Sequence, residues 1–529
     1  MLRTLSPLLA VHGASIVIAA PLWRLMSFYG RKMTFGVALF VMVFGTLLCS
    51  RAFTLYGGLW FSVARAISGV GAGGVLRLTM TYISELVSPS RQVYFLTNAW
   101  GASLLLSTLF GALITDNLSW RAQFYVAAAA MLILGIVIMI SLPKTPITDM
   151  MRRERVWRFW LFDWSGGVIL LSCVTCFLLA FFHGGQALEW TSGGVIAGII
   201  LGCFLIVVFM FVEMYHSYEP LVPIVLFLRS RNYFLACAIT FLFGFTFSSV
   251  MYYVPLYLQI QNGLSSTQTA FYLWSAILPF CLVSFATPKT SSMSVWYMQF
   301  SFLLPILGTV LLSVTGSSNS MGFLVGGCVV FGIGMGAAFQ MPITLGVYSI
   351  KQVFTLKDDR QHMEIAAPLI YASLLGSTVG VSSIGAAIFT TWVNHVAIAS
   401  TGSLVALSAF DIGAGDLFDL ETISTFADVT QSLLRRTFGE SFRIGMIILI
   451  VMSALLLLIS LLLSPTIPVE AVTTEEGYEK EKDTALGTMT SALTNSDHIT
   501  QMVVDNDDRV NTSPPVQEMQ EAEITELPC

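Results

Sequence analysis

Apolar runs of about 18 residues or more recur along most of this chain, and each is long enough to cross a bilayer as an α-helix. Only 11% of the residues are charged, whereas soluble domains contain about 25%. The sequence therefore predicts an all-α polytopic membrane protein with about 13 transmembrane helices. The predicted spans are centred near residues 14, 42, 70, 105, 131, 172, 203, 245, 278, 305, 334, 378 and 453.

The distribution of Lys and Arg predicts how the spans are oriented, because cytoplasmic loops are enriched in both residues. Placing Arg24, Arg31 and Lys32 in a cytoplasmic loop and alternating from there puts most of the 26 Lys and Arg residues on that side. The N-terminus is then outside and the C-terminus cytoplasmic. We expect a multi-pass protein of the plasma membrane, with the vacuolar membrane as the alternative.

Three polar segments stand apart from the apolar runs. Residues 143–162 are basic and aromatic and predict a cytoplasmic linker, and residues 392–440 predict a long loop on the outside. Residues 467–529 are acidic and have too little apolar surface to offset the entropy of ordering. This last segment is predicted to be a disordered cytoplasmic tail.

The residues within the spans do not have the pattern of a catalytic centre. The sequence shows no nucleophile–base pair, metal-ligand cluster or phosphate loop inside a span, and GVGAGG at 69–74 lacks the Lys-Ser/Thr of a P-loop. We therefore predict that the protein is not an enzyme, holds no metal and does not bind nucleic acid.

Pairs of glycines four residues apart lie within three predicted spans, and the two members of each pair share one helix face. Small residues at this spacing let helix backbones approach closely. Plain helix packing is the simpler interpretation, and sliding of these helices during transport is the alternative. The pairs are Gly69 and Gly73, Gly332 and Gly336, and Gly376 and Gly380.

Charged residues inside spans are a sharper signal, because burying a charge in lipid costs several kcal/mol. Arg65 and Arg77 lie on one predicted helix, about 18 Å apart along its axis, and Glu85 follows two turns beyond Arg77. Their side chains either face the interior of the protein or reach toward a membrane surface.

Uncharged polar residues also lie at or near the ends of spans. Gln259 and Gln340 neighbour prolines, and polar groups at membrane depth line cavities or bond across helices. Tyr257 either belongs to an interfacial aromatic belt or lines a translocation path. Together with the charged residues above, these are the candidate coupling and translocation residues. Asn117 begins a glycosylation sequon on the predicted outer side, close to the bilayer.

The order of several motifs resembles the Major Facilitator Superfamily. The segments PLWRLMSFYGRK, FSVARAISGVGAGG, ISELVSPSR and SWRAQFYV follow one another as they do in the N-terminal half of that family. Later, YYVPLYLQIQNGLS and FGIGMGAAFQMP are similar to its fourteen-helix drug:proton antiporter branch, which is common in fungi.

This resemblance implies two helical bundles with a substrate site between them near the membrane midplane. The N-terminal bundle would occupy 1–142 and the C-terminal bundle 234–466, with two extra linker helices at 163–213. The resemblance also implies roles for individual residues. Arg65 would take part in proton coupling, and a cytoplasmic signature loop would act as a latch through Gly30, Arg31 and Lys32.

Three features depart from the family pattern. Trp23 and Ser27 stand where the signature loop usually has Gly and Asp, and LSTLFG at 106–111 keeps only Gly111 of the antiporter signature. The first predicted span matches the second helix of the family. The N-terminal bundle is therefore expected to lack the first helix, which often carries an acidic residue.

We expect a secondary active transporter that exports a small hydrophobic compound, such as a drug, toxin or secondary metabolite, by alternating access. Proton antiport is the expected energy source, with no other cofactor, and the expected partners are the substrate and the lipid bilayer. The sequence predicts neither the substrate nor the oligomeric state. The alternatives are a non-transporting membrane sensor or receptor, and a truncated inactive transporter.

Overall fold

α-Helices, most of them long and apolar, build the computed structural model of this protein. The structure describes residues 11–16, 19, 30–51, 57–87, 89–141, 163–184, 190–215, 227, 230–287, 295–318, 320–353, 361–400 and 428–463. The linker predicted at 143–162 and the tail predicted at 467–529 lie outside these residues. Residues 11–16 are helical and belong to the first predicted span.

In chain order, the helices are α1 (Arg31–Ser50), α2 (Gly57–Leu86), α3 (Pro89–Asn117), α4 (Trp120–Ser141), α5 (Trp164–His183), α6 (Gly193–Tyr215), α7 (Arg231–Asn262), α8 (Ser266–Ala286), α9 (Val295–Ser301), α10 (Leu303–Ser318), α11 (Met321–Ala338), α12 (Met341–Val353), α13 (Gln361–Ser400) and α14 (Asp428–Leu461).

Ten segments of the described chain are helical, long and apolar enough to cross a membrane. They are α1, α3, α4, α6, α7, α8, α13 and α14, together with the consecutive pairs α9–α10 and α11–α12. The prediction of an all-α, multi-pass membrane protein is confirmed. In addition, α5 contains a shorter apolar helix, and α2 covers the span predicted near residue 70.

The helices pack as two groups, the N-terminal group (α1–α4) and the C-terminal group (α7–α14). In the N-terminal group α1 packs against α2 and α4, and α3 packs against α4. In the C-terminal group α7 packs against α12, α13 and α14, while α11 packs against α8 and α10. Between the groups in sequence, α5 and α6 pack against each other.

Helices at the periphery present apolar side chains outward. In α4 the buried positions are Ala128 and Gly135, whereas Ile133, Leu134 and Ile140 are largely exposed. Outward-facing apolar side chains of this kind contact lipid tails in a membrane protein, where lipid replaces water as the surrounding medium.

Helix α7 lies at the centre of the C-terminal group, and both of its ends are capped. The hydroxyl of Ser230 accepts a hydrogen bond from the N–H of Tyr233 at 3.3 Å. At the other end Gly263 adopts φ 65°, a left-handed conformation that closes the helix, and its N–H donates to the carbonyl of Gln259.

The span Met321–Ile350 is divided into α11 and α12 at Phe339 and Gln340. Pro342 lies in the first turn of α12, where backbone N–H groups have no partner within the helix, so the N–H that proline lacks is not needed. The carbonyl of Gln340 accepts the first hydrogen bond of α12, from the N–H of Thr344 at 3.1 Å. The side chain of Gln340 therefore projects from a break between two helices.

The structure corrects the bounds of the long loop predicted at 392–440. Helix α13 continues to Ser400 and α14 begins at Asp428, so both ends of the predicted loop are helical. The reason is packing, because the Trp392 indole N–H donates to the carbonyl of Leu434 at 3.2 Å, and its ring lies 5.0 Å from that of Phe438. The intervening residues 401–427 lie outside the described part of the chain.

Candidate functional site

The two helix groups meet where α3 packs against α8 and where α2 packs against α13. We call the α3–α8 contact the seam. Gly101 of α3 makes the approach close, because a Cβ at this position would lie 3.2 Å from Cys281 Sγ. Near one end of the seam, the Tyr94 hydroxyl donates to the Phe285 carbonyl at 3.4 Å.

A buried polar network crosses the seam one turn from Tyr94. The Gln340 side-chain amide donates to the carbonyl of Ser284 at 2.9 Å and contacts its hydroxyl at 3.2 Å. The Ser284 hydroxyl in turn donates to the Asn98 side-chain oxygen at 3.3 Å. All three residues are buried. The network therefore links α3 to α8 and to the break between α11 and α12.

An aromatic cluster lies next to this network. The Trp100 ring of α3 lies 5.4 Å from Phe247, 6.1 Å from Phe280 and 5.1 Å from Phe339. Phe247 and Phe280 are buried, but Trp100 is 37% exposed. The N-terminal group thus places a partly accessible indole against phenyl rings of the C-terminal group. This surface can stack with an apolar or aromatic ligand.

Asp116 joins the opposite end of α3 to the start of α8. Its carboxylate accepts the backbone N–H of Thr267 at 2.7 Å and that of Ser266 at 3.1 Å. The next N–H, from Gln268, donates to the Ser265 hydroxyl. The first N–H groups of a helix lack partners within that helix and carry a partial positive charge, so a carboxylate stabilises them. The N-terminal group therefore caps a helix of the C-terminal group.

Arg65 lies on α2 within the N-terminal group. Its guanidinium carbon is 5.0 Å from the centre of the Phe124 ring and 5.4 Å from that of Phe61. The Nε atom is buried and has no hydrogen-bond partner within the described chain. The backbone carbonyl of Arg65 contacts Nδ1 of His12 at 3.1 Å.

Arg77 lies on the same helix at the contact between the two groups. Its side chain lies near Tyr371 of α13, whose buried hydroxyl has no hydrogen-bond partner within the described chain. Glu85 is part of α2, but its side chain lies outside the described residues. The structure thus separates the two arginines of α2, since Arg65 faces α4 and Arg77 faces the C-terminal group.

Two further predicted residues lie toward the C-terminal end of α7. Tyr257 is fully buried, donates its hydroxyl to the Thr315 carbonyl at 3.2 Å, and packs 4.4 Å from the Phe442 ring. These contacts lie within the C-terminal group. Gln259 is part-exposed one turn before the end of the helix. Neither residue takes part in the network around Gln340, and their roles in translocation remain predictions.

The paired glycines lie where helices of one group touch. A Cβ at Gly332 would meet the carbonyl of Ala276, and one at Gly336 the carbonyl of Phe280, both on α8. On α13, Gly376 and Gly380 face backbone atoms of α7 in the same way. Gly69 faces residues 12–15, and Gly73 is buried on the same helix. These contacts hold helices at backbone distance within each group.

The predicted signature loop is described only at its end. Gly30 precedes α1 with φ 108°, a backbone conformation that residues other than glycine rarely adopt. Its carbonyl accepts a hydrogen bond from the N–H of Thr34. The side chain of Arg31 lies outside the described residues, and Lys32 is part-exposed. At the far end of α3, the Asn117 side chain is exposed and donates to the Leu113 carbonyl at 2.8 Å.

The sequence of residues 3–353 matches the profile of the Major Facilitator Superfamily. The chain belongs to the Major Facilitator Superfamily. The match covers more than half of the 529 residues and confirms the resemblance seen in the motifs. The family consists of membrane transporters, which accounts for the absence of a catalytic pattern in the sequence.

Curated relatives share this membership at modest identity. The chain is 29% identical to efflux pump dotC of Dothistroma septosporum over 345 residues, which cover 63% of this chain but only 57% of dotC. It is 24% identical to Multidrug resistance protein 3 of Bacillus subtilis over 436 residues, which cover 81% of both chains. Among solved structures, the human organic anion transporter MFSD10 is 13% identical, with a TM-score of 0.49 over 85% of this chain and 83% of that one.

Four residues of the seam in this superfamily member were not predicted from the sequence. Asn98 carries the same signal as Gln340, a polar amide within an apolar run, and that signal could have found it. In the sequence, Asp116 resembles an ordinary polar residue at the end of a span and gives no sign of a contact with another helix. Ser284 and Trp100 carry no distinctive signal, because serine and tryptophan are common in membrane helices.

Proposed function

We propose that this superfamily member is a secondary active transporter that exports small hydrophobic compounds, such as drugs, toxins or secondary metabolites, by alternating access. Two relatives are named as an efflux pump and a multidrug resistance protein, which supports export. The chain spans less than two thirds of the length of dotC. The proposal therefore also rests on structural features of this chain itself.

The seam is the observation that carries the proposal. Across it lie the Tyr94–Phe285, Asn98–Ser284 and Asp116–Thr267 hydrogen bonds and the Trp100–Phe280 ring contact, and each net hydrogen bond contributes only about 0.5–1.5 kcal/mol. Inside each group, by contrast, glycines bring helix backbones into direct contact. Two groups that each hold together through backbone contacts and meet each other mainly through side chains can rock against each other, as alternating access requires.

The substrate surface proposed for this transporter is the aromatic cluster around Trp100. The partly exposed indole and the neighbouring Phe339 offer apolar area at the contact between the groups. A hydrophobic compound stacking there would sit where it is released when the groups separate. A rotation of the groups would then expose the same surface to one side of the membrane or the other.

We propose proton antiport as the energy source. Arg65 cannot itself release a proton at physiological pH, because the guanidinium group stays charged, so its proposed role in coupling requires a titratable neighbour. The imidazole of His12 contacts the Arg65 backbone at 3.1 Å, and we propose it as that titratable neighbour. The proposed setting is the plasma membrane, or alternatively the vacuolar membrane, with the C-terminus in the cytoplasm.

Dye efflux from cells tests this proposal. The full chain is expressed in a yeast strain that lacks its main drug pumps, and efflux of rhodamine 6G is followed with and without a protonophore. We expect efflux that the protonophore abolishes, and a loss of at least tenfold in Trp100→Ala. The control is Trp296→Ala on α9, an outward-facing residue that is 60% exposed. Correct membrane insertion without efflux of any of a panel of hydrophobic dyes would instead favour the sensor interpretation.

A further inference from the structure

We infer that the N-terminal group contains a binding site for an organic anion, formed by aromatic rings and two arginines. The site is called the cationic aromatic cluster and consists of Phe61, Arg65, Trp120, Arg121 and Phe124. The ligand class is a flat aromatic compound that carries a carboxylate or a phenolate. The inference deepens the proposed function, on which its biological meaning rests, by naming a chemical class of substrate.

Three aromatic rings form the body of the cluster. Phe61 of α2 lies 5.6 Å from Phe124 of α4 in an edge-to-face arrangement, and Trp120 lies 6.3 Å from each of them. Phe61 is buried, but the side chains of Trp120 and Phe124 are only partly so. The cluster is therefore anchored by the buried ring of Phe61, while a ligand can reach the partly exposed rings of Trp120 and Phe124.

Two guanidinium groups lie over these rings. Arg65 contacts Phe61 and Phe124, as described above, and the guanidinium carbon of Arg121 is 4.4 Å from the centre of the Trp120 ring. A cation attracted to an aromatic face keeps its full charge, so two such contacts give the cluster a positive potential. No carboxylate pairs with either arginine in the described part of the chain.

The unsatisfied hydrogen-bonding capacity of Arg65 determines what the ligand must carry. Its Nε is buried without a partner, and a guanidinium group has only donors, so an acceptor is required. Carboxylate oxygens fit best, because they match the planar fork of arginine and the bond is assisted by charge. The aromatic part of such a ligand would stack on Phe124 or Trp120.

Among the described residues of the N-terminal helices, the groups adjacent to Arg65 do not offer that acceptor. Cys49 is buried beside Phe61, and the Trp60 indole donates to the carbonyl of Leu48 at 3.2 Å. His12 contacts the backbone carbonyl of Arg65 rather than its guanidinium group. The partly exposed portion of the Arg65 side chain therefore remains available to an anion.

Ligand binding to the purified full chain in lipid nanodiscs tests the inference without requiring transport. The probes are 1-naphthoate and the neutral 1-naphthalenemethanol, which share one ring system. Binding is followed by quenching of tryptophan fluorescence, to which Trp120 contributes from within the cluster. We expect 1-naphthoate to bind about tenfold more tightly than the alcohol, because one hydrogen bond between charged groups contributes about that much affinity.

Variants assign this preference to the cluster. Arg65→Gln is expected to bind both probes equally and to leave the affinity for the alcohol unchanged, which also shows that the variant is folded. Arg65→Lys keeps the charge but not the planar fork, so an intermediate preference is expected. Arg436→Gln, at an exposed position of α14 away from the cluster, should behave as the unaltered protein does.

The outcomes separate this inference from the proposed function. Equal binding of the two probes by the unaltered protein, or a preference that survives in Arg65→Gln, would overturn the anion site even if dye efflux is observed. A preference lost in Arg65→Gln would support the site even if efflux is absent. If Arg65→Gln does not fold, Phe124→Leu provides the same test, since removing the stacking ring should weaken 1-naphthoate binding severalfold.

Discussion

At the scale of single residues, the hydrogen bonds of Gln340 give the sharpest prediction about the buried polar network. Replacing Gln340 by Leu removes the side-chain donor to the buried Ser284 carbonyl, and an unsatisfied buried group costs about 1–3 kcal/mol. Thermal unfolding in detergent should therefore begin at a clearly lower temperature. Gln259→Leu is the matched control, because Gln259 is part-exposed, and it should change stability by no more than about 0.5 kcal/mol.

The sequence identified Gln340 but not its partners, and the reason is physical. An amide inside an apolar run signals that some partner must exist, because an unpaired polar group is costly at membrane depth. Which partner it finds depends on which helices meet. Asn98 and Ser284 are far from each other in sequence and come together only through the seam. Composition and spacing contain no information about that contact.

Arg65 shows how far the prediction of the candidate site extends. Its position inside a span marked it as functional, and the resemblance to the family implied a role in coupling. Phe61 lies four residues before Arg65 on the same helix, so spacing alone could have found it. The ring of Phe124 could not be identified, because it lies on a different helix. Four-residue spacing finds neighbours on one helix, but contacts between helices require the fold.

At the scale of helices, the surroundings of two glycines on α11, Gly336 and Gly326, predict that substitution by alanine has opposite effects on stability. At Gly336 an added Cβ would meet the backbone carbonyl of Phe280, which cannot move aside cheaply, so Gly336→Ala should destabilise the α8–α11 contact. At Gly326, on the same helix, nothing lies within 4 Å of the added atom. Gly326→Ala should therefore be neutral or stabilise the helix by up to about 1 kcal/mol.

Thermal stability of the two alanine variants in the same detergent measures this difference. Gly336→Ala should unfold at a lower temperature than the unaltered protein, and Gly326→Ala should not. Equal stability of the two variants would show that α8 and α11 are not in backbone contact. The sequence predicted close packing at the pair Gly332 and Gly336, but it could not identify α8 as the helix they contact.

The cap that Asp116 provides for α8 leads to a second prediction at this scale. In Asp116→Ala the N–H groups of Ser266 and Thr267 lose their acceptor, and loss of a helix cap costs about 0.5–2 kcal/mol. Hydrogen exchange at the start of α8 should therefore accelerate severalfold. Asn117→Ala is the control, because the Asn117 side chain bonds only within α3, and exchange in α8 should not change.

The bounds of helices were less predictable than their existence. Hydropathy identified apolar spans because the bilayer imposes a minimum length on each. The ends of α13 and α14 escaped prediction, since Trp392 and Phe438 continue the contact between these helices beyond the predicted spans. A helix that is stabilised by a neighbouring helix can extend past the length that the bilayer requires.

At the scale of the whole molecule, family membership and the all-α architecture followed from the sequence, whereas the arrangement of the helices did not. The order of motifs reflects common ancestry, and the apolar runs reflect the surrounding lipid. The seam reflects a third property, the fit between α3 and α8 over their length from Tyr94 to Asp116. It is this fit that decides whether the two groups can move relative to each other.

Joining the groups covalently at the seam should therefore stop export. Asp116 and Thr267 are in contact, so the double variant Asp116→Cys, Thr267→Cys can be bridged by a short bifunctional thiol reagent that is cleaved by reduction. If the groups must separate at this end in each cycle, bridging should abolish efflux and reduction should restore it. Each single variant treated in the same way controls for reaction with native cysteines. Full efflux from the bridged protein would mean that transport does not require this end of the seam to open.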